Sequence, residues 1–220
     1  MKRTPEPDLM DDAEQAHAYA AADFAEPHEA FVQNFKDLFP DFHEGDVLDL
    51  GCGTADVLIR FARVFPEPHI TGIDGAQSML DIGLRDVDLK GYANQIKLQK
   101  CLLPDNNLSL LKFDAVISNS LLHHLTDPII LWETCLQCAK KDAPIFIMDL
   151  LRPNSIESAK SLLHQYAADE SPILQRDFYQ SLLASYSIDE VRLQLKLINL
   201  DYLNIDAISD RHMIIWGILK

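Results

Sequence analysis

The 220-residue chain has no run of eighteen or more apolar residues, so no segment reads as a transmembrane helix. Nor does it open like a signal peptide: MKRTPEPDLMDDAEQ is acidic and contains proline where such a peptide would be apolar. A cytoplasmic protein is expected. Basic residues are scarce, 19 Lys and Arg against 34 Asp and Glu, and the formal charge of -15 repels phosphate backbones and anionic membranes. Nucleic acid and membrane are therefore disfavoured as partners. Cysteine is limited to Cys52, Cys101, Cys135 and Cys138. The last two form a C-x-x-C, but no second Cys or His pair stands at zinc-site spacing, and Leu131, Cys135 and Cys138 share one helical face. Buried helix cysteines are expected rather than a redox or zinc pair. Internal repeats and low-complexity tracts are also absent.

What is present is enough apolar residue, 48%, to bury one core of ordinary size, so residues 1–220 are read as a single domain. From residue 46 onward apolar runs alternate with amphipathic ones, the pattern of a parallel sheet with helices on its faces. Strands are expected at 46–50, 69–74, 96–101, 113–118 and 143–149, with helices at 55–65, 76–87 and 128–140. Phe31, Phe35, Leu38 and Phe39 place a further helix before the first strand. Residues 154–186 then read as two helical stretches with no strand between them, an insertion, and Ser187 with Glu190 predicts a capping box for one more helix. Two closing apolar runs, 199–208 and 212–219, are separated by three residues, which permits antiparallel pairing only. The fold class is thus α/β, mainly parallel, with one antiparallel strand at the C-terminus.

The chemistry is concentrated in VLDLGCGTADVLIRF, residues 47–61. Gly51 and Gly53 let the backbone turn and approach a ligand closely. A dinucleotide fingerprint lacks its third glycine, because position 56 is Asp56, and a carboxylate there would repel a pyrophosphate. A P-loop is excluded, since no G-K-[ST] follows. A cationic ligand meets no such objection from Asp49 and Asp56, and S-adenosylmethionine carries both an ammonium and a sulfonium. Asp74, about twenty residues beyond the glycines, suits two ribose hydroxyls and so supports a nucleoside without choosing one.

In DLGCGTAD, GIDGAQSML, FDAVISNSLLHHL and PIFIMDLLRP, in that order and spacing, the sequence resembles the class I S-adenosylmethionine-dependent methyltransferases over about residues 15 to 150. The resemblance implies a Rossmann-like sheet of seven strands with helices on both faces and S-adenosylmethionine as cofactor. It implies that Gly51 and Gly53, with Cys52 between them, line the methionine moiety, and that Asp49 orients its ammonium. Asp74 would hold the ribose and Met79 would lie against the adenine. Asn119 and Ser120 would border the transferable methyl. Residues 1–28 resemble a cover segment, mobile without ligand, in which Tyr19 and Phe24 close over the cofactor. Gly75 replaces a common apolar adenine contact, and Cys101, followed by Leu102, stands where many members have an Asp near the adenine amino group. Both departures imply weaker adenine affinity or packing by other groups.

Methyl transfer is an in-line displacement, so much of its acceleration comes from positioning the acceptor. A base is required only where the acceptor must lose a proton. His123 and His124 are the candidates, beyond the strand end facing the cofactor; the competing reading has one packed under the loop and the other capping it. His17 and His28 flank the cover segment, and His212 is expected to cap or pair with Asp210 or Arg211 at the sheet edge. No His, Asp and Glu cluster has metal-ligand spacing, so no metal is expected. The 154–186 insertion is read as a lid that selects the acceptor through His164, Tyr166, Arg176, Tyr179 and Tyr186; the competing reading makes it a homodimer contact. Three functions follow: a methyltransferase for a small-molecule acceptor, one for a macromolecule such as tRNA or protein, and a non-catalytic S-adenosylmethionine-binding sensor or partner subunit.

Overall fold

The computed structural model describes residues 1–6, 9 and 11–220. Its elements run α1 (Ala13–Ala21), α2 (Ala25–Leu38), β1 (Asp46–Leu50), α3 (Asp56–Val64), β2 (His69–Asp74), α4 (Gln77–Leu89), β3 (Ile96–Lys100), β4 (Ala115–Asn119), α5 (Ile129–Cys138), β5 (Pro144–Leu150), α6 (Ile156–Ala167), α7 (Pro172–Ala184), α8 (Ile188–Leu197), β6 (Asn204–Ala207) and β7 (His212–Ile218). The strands form one seven-stranded sheet in the order β3-β2-β1-β4-β5-β7-β6. β7 runs antiparallel to both β5 and β6, and the other pairs are parallel. The central strands read as continuous apolar runs because helices cover both faces. β5 is buried along its whole length.

Each face carries its own core. On one side, Phe35 of α2 makes edge and tilted contacts with Phe39, Phe42, Phe61, Phe65 and Phe146, and this aromatic cluster joins α2 and α3 to the sheet. On the other, Trp132, Leu131 and Cys135 of α5 pack with Val191 and Leu195 of α8, and the Trp132 indole N–H donates to Gln194. Cys135 and Cys138 are both buried, and burial pushes the Cys135 thiol pKa well up. Helix starts are set by side chains: Asp12, Ser155 and Ser171 cap α1, α6 and α7, and Ser187 with Glu190 forms the capping box of α8.

Two expected boundaries move. Phe113 makes only an isolated bridge to Ala139, so β4 begins at Ala115. Residues 199–203 are a turn rather than strand: Asn199 sits at φ 60, and Leu200 and Leu203 bury their side chains at the end of α8. The order of strands reverses between β1 and β4, and at such a switch point the carboxyl ends of neighbouring strands diverge to leave a crevice.

No helix among the described residues is long and apolar enough to cross a membrane.

Candidate functional site

The loop after β1 turns through three left-handed residues, Gly51 (φ 76), Gly53 (φ 51) and Ala55 (φ 61). The Gly51 and Cys52 N–H groups both donate to the Ile73 carbonyl, which locks the turn against β2. A Cβ at Gly51 would come within 2.9 Å of Leu121, whereas one at Gly53 would meet nothing within 4 Å. The Gly53 side of the loop therefore faces open space. Its N–H donates to Asp74 Oδ2 at 2.8 Å, and Asp74 Oδ1 accepts from Ala76 N–H at 2.8 Å. Each carboxylate oxygen is thus fixed by one backbone bond and keeps a free lone pair.

At the ends of β1 and β4, Asp49 Oδ1 and Asn119 Oδ1 are buried with no hydrogen-bond partner among the described residues. Burial, and secondarily the Asp74 charge, pushes the Asp49 pKa up to about 8. Two unpaired acceptors at adjacent strand ends are a site that lacks a donor.

A cavity of about 630 Å³ runs from this loop across the sheet end to α6 and α7. Of the residues expected around a cofactor, Tyr19, Gly51, Gly53, Asp74, Gly75, Met79, Cys101, Leu102, Asn119 and Ser120 line it. Asp49 and Cys52 do not; both are buried, with the Cys52 side chain turned toward Gly72. The space beside Gly75 is filled by Leu102 and Leu9, whose side chains are otherwise exposed and also line the cavity. Leu9 belongs to the expected cover segment 1–28 but is not among the residues singled out in it, and residues 7, 8 and 10 of that segment fall outside the described residues. Tyr19 stacks on Phe24 at 4.7 Å. Asp56 is a correction: its Oδ2 pairs with His28 Nδ1 at 2.8 Å and Arg60 Nε at 2.7 Å, so it ties α2 to α3 and offers no free charge to a ligand.

At the far end of the cavity, the 3-10 turn Leu122–His124 carries both candidate histidines. Asp149, at the end of β5, accepts from Leu122 N–H and Leu150 N–H, and its Oδ1 lies 2.7 Å from His123 Nδ1. His124 Nδ1 lies 2.5 Å from Glu6 Oε2, and the two imidazole rings stack at 4.2 Å. Glu6, His123 and His124 offer possible metal-ligand atoms within 4.8 Å of one another, contrary to the reading of chain spacing. Glu6 and His124 are nevertheless at direct hydrogen-bond distance, and Asp149 occupies the other ring. The cluster is two carboxylate–histidine pairs side by side.

The lid expectations divide by helix face. On α7, Leu174, Asp177, Phe178 and Ser181 line the cavity at positions i, i+3, i+4 and i+7. Arg176 and Tyr179 point elsewhere on the same helix and do not line it, and Arg176 instead pairs with Asp177. On α6, Tyr166 lines the cavity and donates to Asp210, whereas His164 is exposed. Tyr186 is buried in the core, donating to the Leu125 carbonyl. Arg211, stacked 3.3 Å over the Tyr166 ring, and His212 complete that wall. His212 belongs to β7, which is not the sheet edge; it is 3.3 Å from Ser209 Oγ, and burial and Arg211 draw its pKa down to about 4.

Residues 48–145 match the family model of a methyltransferase domain. Those residues carry a methyltransferase domain, in keeping with the resemblance of the sequence to the class I S-adenosylmethionine-dependent methyltransferases. The chain is 38% identical over 89 residues to protein arginine N-methyltransferase 1 of Saccharomyces cerevisiae, covering 40% of this chain and 24% of that protein. It is 28% identical over 144 residues to demethylmenaquinone methyltransferase of Listeria welshimeri, covering 62% of this chain and 57% of that protein. The chain thus spans under two thirds of the length of these curated relatives. A methyltransferase structure from Aquifex aeolicus shares the fold, with TM-score 0.65 at 18% identity over 95% of this chain and 99% of that one. The sequence motifs locate the loop, Asp74 and the histidine turn. They missed Asp149, Glu6 and Asp177. Asp149 carried a signal, a carboxylate at a strand's carboxyl end; Glu6 carried none.

Proposed function

We propose that this methyltransferase moves a methyl group from S-adenosylmethionine to a small-molecule acceptor enclosed between the strand ends and α7. The observation that carries the reading is the single cavity joining the glycine loop to the histidine turn and the lid helices, of a size usual for small-ligand sites. The residues fit the cofactor. Asp49 Oδ1 and Asn119 Oδ1 are the unpaired acceptors that an ammonium group would satisfy, Asp74 retains lone pairs for two ribose hydroxyls, and Leu9, Leu102 and Met79 supply apolar surface for the adenine. Tyr19 and Phe24, in the 1–28 cover segment, close that side. When bound, S-adenosylmethionine supplies a methyl group on a cationic sulfur that departs as a neutral thioether.

The acceptor would lie against His123, His124, Tyr166, Asp177 and Phe178, with 154–186 acting as the lid. The reading draws support from the name of the demethylmenaquinone relative and from the formal charge of -15, which opposes a tRNA groove. The yeast relative's name points instead to a protein substrate, which would have to insert a side chain into this cavity. Release of S-adenosylhomocysteine, screened against metabolite, protein and RNA pools, tests the assignment. Turnover confined to the RNA or protein pool would overturn the small-molecule reading, and binding without turnover in any pool would favour a sensor.

A further inference from the structure

We propose that Glu6 positions His124 as the proton acceptor for methyl transfer, so that the N-terminal segment delivers one side chain to the wall of the catalytic site. This rests on the methyltransferase reading above and narrows it to acceptors that carry a proton to lose, an O–H or N–H nucleophile.

Residues 1–6 are tied down on the acceptor side of the cavity. The Arg3 guanidinium donates to the carbonyls of Ala184, at the end of α7, and of His123 and Leu125, while lying 4.1 Å over the Tyr186 ring. Thr4 N–H donates to the Leu183 carbonyl. These bonds join the end of the lid to the turn that carries both histidines. They deliver Glu6, whose Oε1 accepts from Ser181 Oγ at 2.6 Å and whose Oε2 meets His124 Nδ1 at 2.5 Å. A carboxylate so far from water is costly unless paired and hydrogen-bonded. Burial raises its pKa, but the bond to His124, the charges of both histidines and the Ser181 hydroxyl outweigh that and bring it down to about 2.

The two histidines are not equivalent. The His123 side chain is 3% exposed and its Nδ1 is committed to Asp149. The His124 side chain is 26% exposed and lines the cavity. With Nδ1 held by Glu6, its free nitrogen is Nε2. In the transfer the acceptor's electron pair forms the bond to the methyl carbon, the old C–S pair remains on sulfur, and the acceptor's proton goes to His124 Nε2. The positive charge lost at sulfur reappears on the imidazole, beside the Glu6 carboxylate. Asp149 holds His123, which buttresses the His124 ring from beneath.

The test is a ¹⁵N-histidine spectrum of the full chain with S-adenosylhomocysteine bound, in wild type, Glu6→Gln, Glu6→Asp and Arg3→Ala. Wild type should hold the His124 proton on Nδ1. Glu6→Gln should mix the tautomers, so that the Nδ1 and Nε2 signals of His124 move toward one another. Glu6→Asp should restore part of the tautomer preference. Arg3→Ala, which frees residues 1–6 without touching Glu6, should shift it the same way by less, and this variant carries the test if Glu6→Gln fails to fold. An unchanged His124 tautomer in Glu6→Gln or, where that variant does not fold, in Arg3→Ala overturns the proposal. Failure of wild type to bind S-adenosylhomocysteine by calorimetry would instead overturn the methyltransferase reading, and the spectra would still report whether Glu6 controls His124.

Discussion

The two ends of the cavity are built in opposite ways. At the glycine-loop end, Gly51, Gly53 and Asp74, with the buried Asp49 next to them in the chain, come from two consecutive strands and the turns that follow them, and backbone N–H groups fix the Asp74 carboxylate. At the histidine end, Glu6, His124, Asp177 and His212 line the cavity from four separate parts of the chain and are held by side-chain contacts, and the buried Asp149 behind His123 adds two backbone N–H bonds to its own side-chain pair. Backbone-fixed geometry resists substitution of neighbouring side chains, whereas a side-chain network depends on every member and on its protonation. The glycine-loop end should therefore respond to mutation as a loss of ligand affinity. The histidine end should respond in stability and in pH dependence.

The largest effect falls on Asp149. Its carboxylate accepts from two backbone N–H groups and His123, all buried. Asp149→Ala leaves those donors unpaired and should cost about 3–5 kcal/mol in denaturant unfolding. The pH dependence sharpens the contrast. Burial lowers the His123 pKa, but the Asp149 charge and hydrogen bond, with Glu6, raise it overall above 6.5. A raised folded value means the pair's contribution is complete below about pH 6.5 and is lost as pH rises through the folded pKa. The wild-type melting temperature should carry that decline, and Asp149→Asn should lack it. A decline of equal slope in both would break the comparison.

Next comes Asp74. Asp74→Ala removes the acceptor for Gly53 and Ala76 together with a charged partner for a ligand, and should weaken S-adenosylhomocysteine binding by about 1.5–3 kcal/mol, ten- to more than a hundredfold. Calorimetry reads this directly. Tight NADH binding in its place would overturn the cofactor assignment.

The same contrast explains what was legible in the sequence. The strand and helix order, the terminal antiparallel strand, the capping box at Ser187 and the glycine loop are set by periodicities and spacings of a few residues, and each was visible in the chain. Helix register was less so: apolar spacing located α7 but did not show which polar residues would share the face of Leu174 and Phe178, so Arg176 and Tyr179 were chosen where Asp177 and Ser181 are found. Asp56 was read by its charge alone: Arg60, four residues on in the same helix, is a partner that local spacing offers, whereas His28 comes from α2, whose packing on α3 no local pattern encodes. Glu6 reaches His124 only through the complete fold.

A smaller effect belongs to Asp49. Its folded pKa of about 8 lies above its ordinary 3.8, raised by burial and by Asp74. The unfolded chain therefore ionises near pH 4 while the folded chain does not until about pH 8, and stability without ligand falls across that window. Asp49→Asn should raise the melting temperature at pH 7, by roughly 2–4 °C for each kcal/mol regained. The ligand's ammonium selects the ionised carboxyl, so S-adenosylhomocysteine affinity should climb between pH 6 and 7.5, by at most about tenfold per unit. Calorimetry in two buffers of different ionisation enthalpy should detect proton release in wild type and none in Asp49→Asn. Binding independent of pH in wild type would remove Asp49 from the ammonium site.

The smallest effects separate the two faces of the lid. His164 and Tyr166 are two positions apart on α6, and at about 100° per residue they point to different sides of the helix. His164 is exposed, so His164→Ala should change stability by no more than about 0.5 kcal/mol and leave both ligand affinity and acceptor turnover unchanged. Tyr166 lines the cavity, donates to Asp210 at 2.8 Å and carries the Arg211 guanidinium on its ring. Tyr166→Phe keeps the ring and the stacking but deletes one hydrogen bond near the surface, worth about 0.5–1.5 kcal/mol, which corresponds to roughly two- to tenfold. That loss should appear in acceptor KM, because the hydroxyl borders the acceptor end, while the S-adenosylhomocysteine dissociation constant stays within about twofold. Equal responses in the two variants, or a shift in cofactor affinity with Tyr166→Phe, would mean that α6 packs on the sheet without facing an acceptor, and the division of the cavity into two ends would have to be redrawn.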